Sequence, residues 1–442
     1  FNGDGYADVL TGAGRYDAPA TDAGRALAFY GASTGLARRP DWMAEGNQKG
    51  GQFGYAVAPA GDVNGDGFSD LAVGAPLFDK GEADEGCAFV FHGSARGLAS
   101  RPAWTGQLDQ AGAQFGFSVG GGGDINNDGY GDLIVGAPYF DYGGFSDKGR
   151  AVVYLGSASG LSNVTNWYVN GACPQSKLGY SVAVAGDMTG DGYDEIVIGE
   201  PGFTYTNTQE GRILVYAGTN TGVGAWLTAG SLQFHGGRLG ANLGDAVAAA
   251  GDLNNDGYAD IAAGASYFGT GNSEGRVLVC KGRPGGVDLA LQALDGDAPN
   301  ARFGCSVASA GDVNGDGYDD LVIGAFGYSN GETGEGRAYV FLGCSAGITG
   351  RAVWTAEVNQ TQARFGWSVA GAGDVDGDGY TDVLVGAPRF SLTHTQAGAI
   401  FLYRGKPGGV HTNAFWVFAA EQAAAGLGTS VDGLGDINRD GF

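Results

Sequence analysis

Six stretches of this 442-residue chain place oxygen-bearing side chains at positions 1, 3, 5 and 9 of a nine-residue loop, with the form D-x-[DN]-x-D-G-x-x-D. The side chains are Asp62, Asn64, Asp66 and Asp70 in the first, Asp124, Asn126, Asp128 and Asp132 in the second, and Asp187, Thr189, Asp191 and Glu195 in the third. They continue as Asp252, Asn254, Asp256 and Asp260, then Asp312, Asn314, Asp316 and Asp320, then Asp374, Asp376, Asp378 and Asp382. Position 7 adds a backbone carbonyl, from Phe68, Tyr130, Tyr193, Tyr258, Tyr318 and Tyr380, and the glycine at position 6 allows the sharp turn. Hard oxygens in this number suit Ca²⁺, which accepts about six to eight in flexible geometry, better than Mg²⁺, which holds a tighter octahedron and keeps its waters. Without a cation the carboxylates of one loop repel. A single acidic turn is an ordinary solvated turn. Six complete copies at a fixed period are not, and they predict about six Ca²⁺ sites. Thr189 and Glu195 predict weaker binding in the third loop, and Asp376 predicts binding in the sixth at least as tight as in its neighbours. Half-loops at the ends, Asn2, Asp4 and Asp8 and again Asp436, Asn438 and Asp440, are each incomplete.

The loops recur because the chain repeats. Their Asp-Gly aspartates, from Asp4 to Asp440, are spaced 62, 62, 63, 65, 60, 62 and 62 residues apart, which makes seven periods. Nine residues before each loop stands Phe53-Gly54, Phe115-Gly116, Leu178-Gly179, Leu243-Gly244, Phe303-Gly304, Phe365-Gly366 or Leu427-Gly428. After each loop comes a Gly-Ala-Pro-like triplet, such as Gly74-Ala75-Pro76 or Gly386-Ala387-Pro388. Apolar residues alternate on both sides of the loop, as in Tyr55 and Val57 before Leu71 and Val73, so strands flank it. A third strand such as residues 149–156 and a fourth marked by Trp42, Trp104, Trp167, Trp354 or Trp416 complete the unit. Four short antiparallel strands per repeat predict a propeller blade, and a tryptophan at a fixed repeat position predicts blade-to-blade packing. Trp226 stands 17 residues before Leu243 instead of the usual 11, so an insertion is expected there.

The expected fold is therefore all-β, one seven-bladed propeller over residues 1–442. Residues 1–45 supply three strands and 427–442 the fourth, so the two ends share the seventh blade and leave no free sheet edge in the ring.

Composition agrees with this reading. The 87 glycines accompany 43% hydrophobic and 11% aromatic residues, which fits a turn-rich globular fold rather than disorder. The formal charge of −24 argues against nucleic acid or anionic membrane as partner, and six Ca²⁺ would halve it. No apolar run approaches the ~18 residues needed to span a bilayer. The chain opens inside a motif, without a starting Met or signal-peptide pattern, and is read as a segment of a longer, multidomain protein. Of five cysteines, Cys280 and Cys305 replace aromatics of sister repeats and are expected as buried fillers, whereas Cys87, Cys173 and Cys344 fall at less apolar positions. Two sequons, at Asn163 and Asn359, suit a secreted protein.

Residues 53–76 (FGYAVAPAGDVNGDGFSDLAVGAP) and 365–388 (FGWSVAGAGDVDGDGYTDVLVGAP) carry a pattern that resembles the FG-GAP repeat, best known from the N-terminal propeller of integrin α subunits. Leu178, Leu243 and Leu427 depart from its Phe, and Gly14, Ser266 and Phe326 from its Pro. The resemblance implies an extracellular or cell-surface adhesion or recognition module for a protein partner. Integrins carry calcium loops in only some blades, which implies here a secreted member outside the integrins proper. Calcium-loop propellers include lectins, so a glycan ligand is the alternative reading. A hydrolase or lyase is the third. The histidines His92, His235, His394 and His411 share no motif, and no G-x-S-x-G, H-E-x-x-H or Walker signature is present, so no catalytic residues are assigned. A convergent cluster of Asp, Glu, His and Arg at the channel mouth would favour an enzyme, and an aromatic shelf there a glycan. Recognition is expected on the loops joining second and third strands, opposite the acidic loops, because these vary on a rigid scaffold. Phe78, Phe140, Phe268 and Phe390 are expected to cap their own blades, and Tyr142, Phe145, Tyr205 and Tyr328 to contact a ligand.

Overall fold

The structure is a computed structural model that describes residues 2–226 and 233–433. Seven antiparallel sheets follow one another along the chain: blade 1 (56–107), blade 2 (118–170), blade 3 (182–235), blade 4 (246–295), blade 5 (306–357), blade 6 (368–419) and blade 7. Blade 7 closes the ring as expected. Its first strand, Ser430–Gly433, pairs with Val9–Ala13 from the other end of the chain, followed by Arg25–Phe29 and Trp42–Glu45. Blade 3 carries the insertion: both Gly222–Trp226 and Gln233–His235 pair with its third strand, Arg212–Thr219. The residues between them lie outside the described part, as does the C-terminal half-loop.

Position within the blade dictates residue size. First strands crowd around the central axis and are built from small side chains, such as Ser118–Gly123 (SVGGGG) and Ser368–Gly373 (SVAGAG). Second strands, such as Asp320–Ala325, are buried along their whole length in blades 1 to 6 and carry Leu, Ile and Val. Just before each acidic loop in these blades the first strand shifts register by a bulge, as between Ser309 and Gly311, and the ladder then ends on the position-9 acid.

Blades meet through two devices. The tryptophans pack on the next blade, as expected: Trp42 on Phe91, Trp104 on Tyr154, Trp167 on Tyr216, Trp354 on Tyr403 and Trp416 on Phe29, at 4.8–5.1 Å between centroids. Four of them also donate Nε1–H to a carbonyl of that blade, at Ala99, Ser162, His411 and Ala37. The second device is glycine against glycine. At all seven seams a Cβ on the Gly-Ala glycine would lie 1.8–2.3 Å from the carbonyl oxygen of the next Phe-Gly or Leu-Gly glycine, as for Gly324 against Gly366 at 2.0 Å. Backbone meets backbone there, so neither side can yield cheaply. Gly324→Ala is expected to lower stability by ~2 kcal/mol or more, while Gly350→Ala, which meets nothing within 4 Å, is neutral. Equal denaturation midpoints for the two variants would contradict this seam.

The described cysteines are free. Cys280 is buried as expected, but Cys87, expected at a less apolar position, is fully buried. It opens the third strand of blade 1, where blades 2 to 5 have an arginine lying over an aromatic ring, and packing in blade 1 fills that place with sulfur instead.

Candidate metal centres and the opposite face

In each loop the position-1 aspartate is wrapped by its own turn. Asp312 Oδ1 accepts from the backbone N–H of Gly315 and Asp316, at 2.6 and 3.1 Å, and its Oδ2 accepts from Gly317 at 2.7 Å. The bond from the position-6 glycine recurs at 2.7–2.8 Å on Asp62, Asp124, Asp187, Asp252 and Asp374. That glycine has φ near +87°, which a side chain rarely tolerates.

Position 9 is different in kind. Asp70, Asp132, Glu195, Asp260, Asp320 and Asp382 are fully buried. Each bridges two strands: in blade 5, Asp320 Oδ2 accepts from Val313 N–H at 3.0 Å, and Oδ1 from Gly343 N–H, beyond the third strand, at 2.9 Å. The pair recurs in all six blades. Burial disfavours the charged form and pushes Asp70, Asp132, Asp260 and Asp320 up to about 7, and Glu195 and Asp382 to about 8, against the pull of these backbone bonds.

Position 3 tests whether a cation fits. Asn126 Oδ1, Thr189 Oγ1, Asn254 Oδ1 and Asp376 Oδ1 are shut off from solvent and have no hydrogen-bond partner. A buried acceptor without a donor costs about 1–3 kcal/mol, and a hard cation satisfies it. In the sixth loop Asp374, Asp376 and Asp382 each bring one carboxylate oxygen within 4.8 Å of the others. Arg404 Nη1, 3.0 Å from Asp376 Oδ2, offsets part of the extra charge. Adjacent loops are also tied together. The backbone N–H at position 8 donates to the position-1 carbonyl of the preceding loop at six seams, from Gly131 on Asp62 to Ala7 on Asp374. The N-terminal half-loop keeps the same pattern, with Tyr6 N–H on Asp4 Oδ1 and Gly31 N–H on Asp8 Oδ1.

On the opposite face the capping expectation needs one correction. Phe78 and Phe390 pack on Phe89 and Phe401 of their own blades, and Phe140 and Phe268 lie under Arg150 and Arg276. Tyr328, assigned to ligand contact, is the equivalent cap of blade 5: it is partly buried, and the Arg337 guanidinium stacks 3.7 Å from its ring centroid. The sequence signal was present, since Gly-Arg opens the third strand at Arg25, Arg150, Arg212, Arg276 and Arg337, about nine residues after the cap. Tyr142, Phe145 and Tyr205 are exposed at 49%, 53% and 71%. Tyr142 and Phe145 face each other across the Gly143-Gly144 turn through two backbone hydrogen bonds, with Lys148 Nζ 5.6 Å from both rings.

The channel, about 810 Å³, runs between the first strands. The residue after each Phe-Gly or Leu-Gly forms its mouth: Tyr55, Phe117, Tyr180, Asp245, Cys305, Trp367 and Thr429. Tyr55, Phe117 and Tyr180 pack in series with tilted rings at 5.1 and 4.8 Å between centroids, and Trp367 packs on Phe326 at 4.8 Å. The mouth thus combines four aromatics with Asp245, Cys305 and Thr429.

The FG-GAP repeat pattern matches residues 1–29, 53–91, 115–154, 178–216, 243–280, 303–341 and 365–403, one segment per blade. The chain belongs to the FG-GAP repeat family. It is 34% identical over 228 residues to integrin alpha-V of Gallus gallus and 33% identical over 261 residues to integrin alpha-4 of Xenopus laevis. These matches cover 49% and 58% of this chain but only 20% and 23% of the integrins. Among solved structures, a candidate 6-phosphogluconolactonase from Bacteroides uniformis superposes with a TM-score of 0.59 over 97% of this chain and 99% of its own, at 12% identity, a likeness of fold alone. No helix among the described residues is long and apolar enough to cross a membrane.

Proposed function

We propose that this FG-GAP propeller is an extracellular, calcium-stabilised recognition module without catalytic activity. Its six complete loops each hold one Ca²⁺ through positions 1, 3, 5 and 9 and the carbonyl of position 7. The unpartnered, solvent-shielded oxygens at position 3 in four of the six loops carry this reading, because they are of the type that Ca²⁺ takes. The integrin α relatives support an adhesive role at the cell surface, and the variable loops opposite the acidic loops are the face assigned to a protein partner. There Tyr142, Phe145 and Tyr205 stand out from a scaffold that the seams hold rigid. The four aromatics at the channel mouth support a second reading, a glycan ligand. Metal analysis after equilibration with millimolar free Ca²⁺ should return about six ions per chain, and a calcium-free result overturns the metal assignment. Alanine at Tyr142, Phe145 and Tyr205 should weaken a partner recovered on the calcium-loaded chain by about tenfold or more, with calcium content unchanged. Loss of binding through substitutions on the acidic-loop face, with the fold intact, would reverse the choice of face.

A further inference from the structure

Two of the departures from the repeat pattern fall on one blade and touch each other. Asp245 stands where blades 1, 2, 3 and 6 place Tyr55, Phe117, Tyr180 and Trp367, and Ser266 stands where blades 1, 2, 3 and 6 have Pro76, Pro138, Pro201 and Pro388. Ser266 donates to Asp245 Oδ2 through both its hydroxyl and its backbone N–H. Asp245 Oδ1 is shut off from solvent and has no partner. Arg302, from the next seam, places its guanidinium carbon over Tyr267, 3.5 Å from the ring centroid, and its Nη1 is likewise buried without a partner. The guanidinium is close enough to draw the Asp245 carboxyl down, although burial dominates and lifts it to about 7. Asp245, Ser266 and Tyr267 all line the channel, beside Tyr180 and Cys305.

A solvent-shielded carboxylate oxygen and a guanidinium nitrogen, unsatisfied at neighbouring seams, are expensive to keep. An aromatic at position 245, as in blades 1, 2, 3 and 6, would remove the expense. The occupant must donate to Asp245. A cationic ligand would meet Arg302, which already supplies the positive charge. A hydroxyl can donate to the carboxylate while accepting from the guanidinium, and a ring bearing several hydroxyls also has C–H faces that stack on tyrosine. We propose that Asp245, Ser266 and Arg302 form the polar station of a saccharide site at the channel mouth, with Tyr180 and Tyr267 as its walls. The cavity is of a size that holds one or two sugar rings. This deepens the glycan reading and concerns a place apart from the exposed tips of Tyr142, Phe145 and Tyr205.

Saturation-transfer NMR of the calcium-loaded chain against millimolar methyl glycosides of glucose, galactose, mannose, fucose and N-acetylglucosamine tests it. At least one glycoside should give a signal that falls about tenfold or more in affinity on Asp245→Asn and on Arg302→Gln. No transfer from any of the five overturns the proposal, as does transfer that both variants leave intact. Calcium content and melting temperature are read on the same samples. Full calcium loading with no sugar response sinks the saccharide site alone, whereas an unloaded chain sinks the metal reading. If either variant fails to fold, Ser266→Ala takes its place with the same expected loss.

Discussion

Chelation of calcium is expected to lower the melting temperature of this chain by about 10 °C or more. A ligand that binds only the folded state stabilises it by about 2.7 kcal/mol at a hundredfold excess over its Kd, so several loaded loops together contribute on the order of 10 kcal/mol. The loops are not isolated from one another. At six seams the position-8 N–H is bonded to the preceding loop's position-1 carbonyl, so emptying one of these loops loosens the edge of the next. The pH dependence in chelator gives the same physics a second readout. Burial holds the position-9 carboxyls at about 7 to 8 in the metal-free fold, above the unfolded value near ~4. A raised carboxyl stabilises the fold at low pH, and that contribution is lost as pH rises through about 7 to 8. Chelated protein should therefore melt higher at pH 6 than at pH 8. With calcium the order should reverse, because protons compete with the ion. Calorimetry at both pH values, with and without chelator, checks this. A melting curve indifferent to chelator removes the stabilising role, and a chelated protein less stable at pH 6 removes the account of position 9.

The architecture was legible because the repeat writes the same physics seven times. One Phe-Gly could be chance, but four Phe-Gly and three Leu-Gly pairs at a constant distance from an acidic loop fix strand order, and the split ends fix closure through Val9–Ala13 and Ser430–Gly433. The tryptophans were readable for the same reason. Tyr328 was not assigned as a cap, although its spacing from Gly324 is that of Phe78, Phe140, Phe268 and Phe390 from their own Gly-Ala glycines, because Phe326 replaces the Pro that marks the triplet in blades 1, 2, 3 and 6. Cys87 was misplaced because an arginine at its position in blades 2 to 5 suggests polarity, while the arginine is there for its flat face over a ring. The contact between Asp245 and Ser266, 21 residues apart, is visible only once the second strand returns beside the first. The acidic loops hid a second role in the same way, since the partner of position 9 beyond the third strand is a glycine with no side chain to betray it.

That second role predicts an asymmetry between two aspartates of one loop. Asp316 at position 5 is exposed and bonds only within its own turn, to Tyr318 N–H and to the Asn314 amide. Asp320 at position 9 is fully buried and joins the start of the loop to the end of the third strand. Both Asp316→Ala and Asp320→Ala should cost the chain one of its calcium ions. In excess chelator the two should part. Asp316→Ala removes a like charge near Asp320 and is expected to be neutral or slightly stabilising. Asp320→Ala strips the acceptor from two buried N–H groups, each worth about 1–3 kcal/mol when orphaned, so a loss of about 3–5 kcal/mol is expected. Denaturant titration of both variants in chelator, beside metal analysis in calcium, reads the two roles separately. Equal stability of the variants in chelator would show that position 9 is a ligand and nothing more. A full calcium count in Asp316→Ala would show that position 5 is not a ligand at all. The third loop keeps this join with a longer side chain, since Glu195 accepts from Met188 N–H and Gly218 N–H, so an acid of either length serves the second role of position 9.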